Sequence, residues 1–413
     1  MRRWFGGLGL AVLTLGLSSC GTGNSHGGVT TTRPTRTTPT VLDPYARRVT
    51  VAYLRPGLGV IGLVNAPARY QVELELTTDF VHWRNITPPL PGPAQYGGTA
   101  VLRNVSFPTP DDGWVVAGLP SNALELYRTT DGGVTWQDEG GVTSGGSAGD
   151  ELIDFLDASR GWREIIASMA GTVSLSSSDD GGETWTSVTN PGMWPSEGVL
   201  TFSSVSHGFI ADTLPPSQDL PSGQSIPGFT PLWETTDGGQ TWHQASITLP
   251  PGFAGAQSYE GLPTFTDAND GVLPVVLFLQ NEMSIAFYVT SDGGDSWSYE
   301  SLVGLGSTAN TGVYLNNQLP SVAIAGPNTW WVVSVIRPHG SPTVHVTNDA
   351  GRSWTAVSPR GLPSTLTSTY PMGITSVQST SATTAWAMLE NGPSCGLYGT
   401  TDGGATWTPV CPR

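Results

Sequence analysis

The stretch TTDGGVTW, Thr129–Trp136, decides how this chain is read, because it returns. SSDDGGETW ends at Trp185, TTDGGQTW at Trp242, TSDGGDSW at Trp297, TNDAGRSW at Trp354 and TTDGGATW at Trp407. A shorter version, TTDFVHW, ends at Trp83. Successive tryptophans stand 49–57 residues apart, so one unit is copied seven times. Self-similarity at this period marks propellers and solenoids and is read before any local propensity.

Upstream of each box lies a second landmark: Trp114 in DDGWVV, Trp162 in SRGWRE, Phe209 in SHGFIA, Val272 in NDGVLP, Trp331 in TWWVVS and Trp386 in TAWAML. Nine residues earlier stand Val105, Ile153, Leu200, Pro263, Val322 and Val377, each in a short alternating segment. The unit therefore reads as strand, tight turn, strand, loop, strand, Asp-containing turn, strand, with β-branched and aromatic segments bounded by Gly, Asp, Asn or Pro. Four antiparallel strands repeated seven times predict an all-β, seven-bladed β-propeller with the Asp turns between third and fourth strands. The first unit (VTVAYL, GVIGLV, QVELELTTDFVHW) is complete and the chain ends on a fourth strand, so blades are expected in phase with sequence. The ring would then close by packing blade one against blade seven, without exchanging a terminal strand.

The boxes resemble the BNR or Asp-box repeat, Ser/Thr-x-Asp-x-Gly-x-Thr/Ser-Trp, which six of the seven units match over residues 49–413. Asp131, Asp180, Asp237, Asp292, Asp349 and Asp402 are read as structural: an Asp side chain accepts backbone N–H groups within its own turn, and Gly supplies positive φ. Trp136, Trp185, Trp242, Trp297, Trp354 and Trp407 would fasten each turn to a neighbouring strand. The resemblance extends to sialidases, xyloglucan-degrading enzymes, sortilin-type receptors and, nearest in length and ring size, the photosystem II stability/assembly factor family. It implies either a non-catalytic scaffold or a glycoside hydrolase. Sialidase chemistry would need three converging arginines, yet no Arg lies between Arg163 and Arg337, and LRPG at Leu54–Gly57 is a poor match to an Arg-Ile-Pro motif. The xyloglucanase type joins two propellers around a cleft, and this chain has length for one.

The net charge of −16 and the absence of Lys, all seventeen basic residues being Arg, exclude a nucleic-acid footprint. The start, MRRW followed by FGGLGLAVLTLG, reads as the n- and h-regions of an export signal. LSSC, Leu17–Cys20, resembles a bacterial lipobox, which implies a signal over 1–19 and a lipid anchor at Cys20 on the extracytoplasmic face of the membrane. Residues 20–44, rich in Thr, Gly and Pro, read as a tether, and 45–413 as one propeller domain. Cys395 and Cys411 lie eight residues either side of Gly403, at a spacing that fits a disulfide across the last hairpin.

Loop lengths single out one face. The first-to-second and third-to-fourth turns are short in every unit; the second-to-third and inter-blade connections vary and share the opposite face, where binding on rigid scaffolds concentrates. At the mouth of the innermost strand, twelve residues before the second landmark, three consecutive units carry Asp150, Glu197 and Glu260, where others carry Leu102, Leu319 and Ile374. Glu151 adds a fourth acid, and Trp194 and Tyr259 lie near in sequence. Three readings stand beside one another: solvated acids at loop junctions, a ligand or cation site whose oxygen donors would suit Ca²⁺, and an acid/base pair for glycoside hydrolysis. No cofactor is expected otherwise. The sequence points first to a non-catalytic lipoprotein propeller that binds a cell-envelope protein or glycan, and second to a glycoside hydrolase using Asp150, Glu197 and Glu260.

Overall fold

The computed structural model describes residues 47–55, 57–65, 71–90, 100–119, 123–142, 150–167, 172–188, 198–212, 232–280, 282–307, 320–334, 342–362, 374–389 and 396–411. The export signal, Cys20, the tether, Trp194, Glu197, Cys395 and the second-to-third connection of blade four (213–231) lie outside these residues, and of Asp150 only the backbone is described.

Seven antiparallel sheets follow one another in chain order, over residues 47–85, 101–142, 150–188, 198–244, 257–307, 321–357 and 374–409. Each is a meander of sequence neighbours, and among the described residues no strand is exchanged between the first blade and the last. The second landmarks fall on second strands as the repeat demands. Val105 pairs with Val115, Ile153 with Arg163, Leu200 with Ile210, Val322 with Val332 and Val377 with Ala387, one residue past each landmark. Blade five departs: its innermost strand is split into Gln257–Glu260 and Thr264–Phe265, both paired to Gly271–Leu279, with Pro263 in the break. Pro lacks the N–H a ladder needs, which is why the strand divides there.

The apolar interior is distributed among seven seams. A strand buries both faces when sheets stack on either side, so second strands such as Gly113–Gly118 are buried at every residue. Each apolar cluster joins one blade to the next. Val60 and Leu74 of blade one meet Leu102 and Val115 of blade two; Trp114 and Leu126 meet Ile153 and Phe155; Trp162 and Leu175 meet Phe202 and Ile210. The series continues to Trp331 and Val344 with Val377 and Ala387, and ends with Ile61, Leu63 and Phe80 against Trp386 and Leu397. That last cluster closes the ring by face-to-face packing. Cys411 joins it and is disulfide-bonded, its partner lying outside the described residues.

Closure has one local peculiarity. Phe80 stands where later boxes carry Gly, and adopts φ 57°, a conformation costing roughly 1–2 kcal/mol for a side-chain-bearing residue. Its ring is stacked 3.7 Å from Trp386 across the seam. Losing a buried aromatic costs about 3–5 kcal/mol, more than the strain relieved. Phe80→Gly is therefore expected to destabilise the ring by about 2 kcal/mol, read as a lower urea midpoint; a gain in stability would show that strain outweighs the stack.

Candidate functional site

The Asp of each Asp-Gly turn is fully occupied by its own turn. Asp131 Oδ1 accepts from Thr129 Oγ1 at 2.8 Å and from Thr135 N at 2.9 Å, while Oδ2 accepts Thr135 Oγ1 at 2.6 Å. Thr129 Oγ1 in turn accepts Gly133 N at 2.7 Å. The same set recurs at Asp180, Asp237, Asp292 and Asp349, and Asp402 accepts Thr400 Oγ1 and Thr406 N. Two Gly in left-handed conformation, Gly132 (φ 69°) and Gly133 (φ 88°), let the chain fold over the carboxylate. The Thr135 hydroxyl, then its N–H, hold Asp131 down at about 2, and the equivalent Thr or Ser does so for Asp180, Asp292 and Asp349. Such carboxylates stay charged, hydrogen-bonded and unreactive.

The box tryptophans do not all bind the same neighbour. Trp136 Nε1 donates to the Ile86 carbonyl of the preceding blade at 2.8 Å, whereas Trp242 and Trp407 donate to Gly239 and Gly404 of their own turns. Further inter-blade bonds come from second strands. Trp114 Nε1 donates to Gly181 O at 2.7 Å and Trp162 Nε1 to Gly238 O at 3.1 Å, each reaching the next blade's Asp turn.

The acids of the inner strands behave differently. Glu151 is 1% exposed and Glu260 3% exposed. Pairing shows that they are equivalents of each other. Glu151 faces Ile165 and Glu260 faces Val275, each three residues past its landmark, as Leu102 faces Ala117 in blade two. Asp150 faces Ile166, four past. Counting back through the sequence equates Asp150 with Glu260 because blade two carries a bulge between Leu102 and Asn104, and blade five spends an extra residue around its break, while blade three does neither. Leu102 packs in the seam toward the preceding blade, and the shared register puts the two Glu in the same setting. Tyr259, next to Glu260, points to the opposite face and lies in the seam toward blade six, its ring edge-on to Phe278 at 5.5 Å.

Burial pushes Glu260 up to about 8; the Ser258 hydroxyl and its own N–H pull weakly the other way, but neither carboxyl oxygen completes a hydrogen bond of ordinary geometry. Burial pushes Glu151 up to about 7 against the opposing charge of Arg163, whose guanidinium lies 4.4 Å over the Trp185 ring. Asp154 rises to about 6 through burial, although it accepts Phe202 N at 2.8 Å. At neutral pH Glu260 is largely protonated, Glu151 is near the middle of its titration and Asp154 is mostly ionised.

Among the described residues, one group offers nitrogen and oxygen donors together: His207, Glu234 and Asp295, whose ligand atoms lie within 4.8 Å of one another. The sequence reading passed over them, because they come from three separate turns and strands.

No family profile matches the chain, and no curated protein matches it. Solved structures do. The chain is similar to a structure of YCF48 bound to D1 peptide, at 17% identity and a TM-score of 0.49 over 89% of this chain and 99% of that one. It is similar to the GH74 enzyme of Niastella koreensis at 15% identity and a TM-score of 0.49, covering 81% of this chain. It spans about half the length of that enzyme, 52%. The β-propeller domain of the Trilobed protease from Pyrococcus furiosus, described as having an open velcro topology, matches at 8% identity and a TM-score of 0.50 over 89% of this chain and 98% of that one. At these identities the likeness establishes the propeller fold, which carries binders and enzymes alike.

Proposed function

We propose that this protein is a non-catalytic, lipid-anchored extracytoplasmic propeller that binds a cell-envelope protein or glycan through the face bearing its second-to-third and inter-blade loops. The observation that carries this reading is the use made of the carboxylates. Those of the Asp turns are saturated by their own turns, and Glu151 and Glu260 are sealed between blades, where a substrate sugar has no access to them. A general acid must come within hydrogen-bond reach of the atom it protonates. What remains variable on the rigid ring is the set of loops on one face, the usual seat of recognition.

The face is testable without knowing the partner. A photo-crosslinking residue is placed at Ala123 or Glu282, exposed beside second-to-third loops, and at Val81 or Val134, exposed on the opposite rim. In cells, adducts are expected from the first pair and none from the second. Adducts confined to Val81 and Val134 would assign recognition to the Asp-turn rim and refute the proposed face.

A further inference from the structure

The repeat carries its own internal control for the His207 group. At the seam between blades two and three, Arg128 pairs with Trp114 on the third strand and reaches the next blade. Its guanidinium donates to Ala158 O at 2.8 Å and Asp180 O at 3.3 Å, and stands 3.9 Å from Glu183, the third residue after the box Asp. A cation faces an anion there. Between blades four and five the same strand position, opposite Phe209, is Glu234, and the third residue after the box Asp is Asp295. Two carboxylates now face each other where the other seam has a cation and an anion.

A second element changes with them. The turn before the second strand of blade four supplies His207, whose Nε2 lies 2.6 Å from Glu234 Oε1, with its ring stacked 4.9 Å from Phe209. Its side chain is 11% exposed and that of Glu234 6%. His243 Nε2 lies 3.5 Å from the other Glu234 oxygen. The landmark position is Phe209 rather than Trp, so the indole bond that ties Trp114 and Trp162 to the next blade's turn has no counterpart from this residue.

We propose that His207, Glu234 and Asp295 bind a divalent transition cation of the Zn²⁺ class, which ties blade four to blade five in place of an arginine. One imidazole nitrogen with two carboxylates suits Zn²⁺ or Co²⁺ better than the oxygen-only sites of Ca²⁺. Ligands about 2.0–2.1 Å from a tetrahedral ion stand about 3.3 Å apart. Binding therefore needs His207 and Glu234 to part slightly and the exposed Asp295 side chain to swing inward. His243 on the second Glu234 oxygen would orient that carboxylate from outside the coordination sphere, as outer partners of metal ligands do. His207 binds a metal through an unprotonated ring nitrogen, so Nε2 exchanges its contact with Glu234 for the metal as the ion enters.

The full chain, stripped with EDTA, is titrated with Co²⁺ and then Zn²⁺, following visible absorption, calorimetry and thermal unfolding. The expected result is uptake of one Co²⁺ with tetrahedral absorption bands, displacement by Zn²⁺ and a Tm raised by several degrees. His207→Ala and Asp295→Asn are expected to weaken binding at least tenfold and abolish the Tm shift. Asp295 is exposed, so its variant tests the site even where loss of His207 impairs folding. Failure of the wild-type chain to take up Co²⁺, or uptake that survives Asp295→Asn undiminished, overturns the proposal.

Discussion

Replacing Trp114 by alanine is expected to lower the unfolding free energy by about 3–5 kcal/mol, the range for truncating a fully buried large aromatic. Three interactions disappear together. The indole stacks on Phe155 of the next blade at 3.7 Å with the rings 3° from parallel, its Nε1 donates to Gly181 O, and Arg128 lies 5.5 Å over its ring. The first two join blade two to blade three, and the third holds Arg128 of blade two where it reaches the same neighbour, so the loss falls on a seam. Trp114→Phe separates the contributions: the stack survives, the buried Gly181 carbonyl loses its donor, and the expected cost falls to about 1–2 kcal/mol. Urea unfolding checks both, with Val134→Ala, 76% exposed, as a control expected within about 0.5 kcal/mol of wild type. A Trp114→Ala midpoint near that of the control would refute the account of seam packing.

The second large effect is a dependence on pH that a single substitution should remove. Glu260 has an ordinary value of 4.5 and stands near 8 in the folded chain. The folded state therefore keeps a proton that the unfolded chain releases, and its contribution is complete below pH 4.5 and lost as pH rises toward 8. Glu151, near 7, acts in the same direction over a shorter window. The Asp turns act oppositely: with folded values near 2 against 3.8, they lose their contribution as pH falls from about 4 to 2. Stability should peak near pH 4–5 and decline above it. Glu260→Gln keeps the shape and cannot ionise, so it should match wild type at pH 4.5 and exceed it by roughly 2–4 kcal/mol at pH 8. A variant destabilised equally at both pH values would show that the carboxylate is paired and charged in its seam.

Much of this was legible from the boxes. Their spacing placed every landmark on a second strand, and the complete first unit announced closure without strand exchange, which the Phe80–Trp386 seam provides. The setting of the acids was less legible. Asp150 aligned with Glu260 by counting, but bulges are invisible to counting, and one extra residue in blades two and five moves the equivalence to Glu151. Burial was hidden for the same reason: a strand buried on both faces has no polar side to mark where Glu260 points. The His207 group left a fainter trace. Aligning the residue before each box Thr or Ser sets Arg128 against Glu234, a reversal of charge that becomes chemical information only once the seam shows Asp295 opposite it.

The claim that this ring binds without turnover is tested most directly by incubating the full chain with xyloglucan, β-linked glucan and sialyl oligosaccharides from pH 4 to 8 and measuring released sugar. The account predicts no release above the protein-free blank at any pH. Release that is lost in Glu197→Gln or Glu260→Gln would contradict it and make the inner-strand acids catalytic.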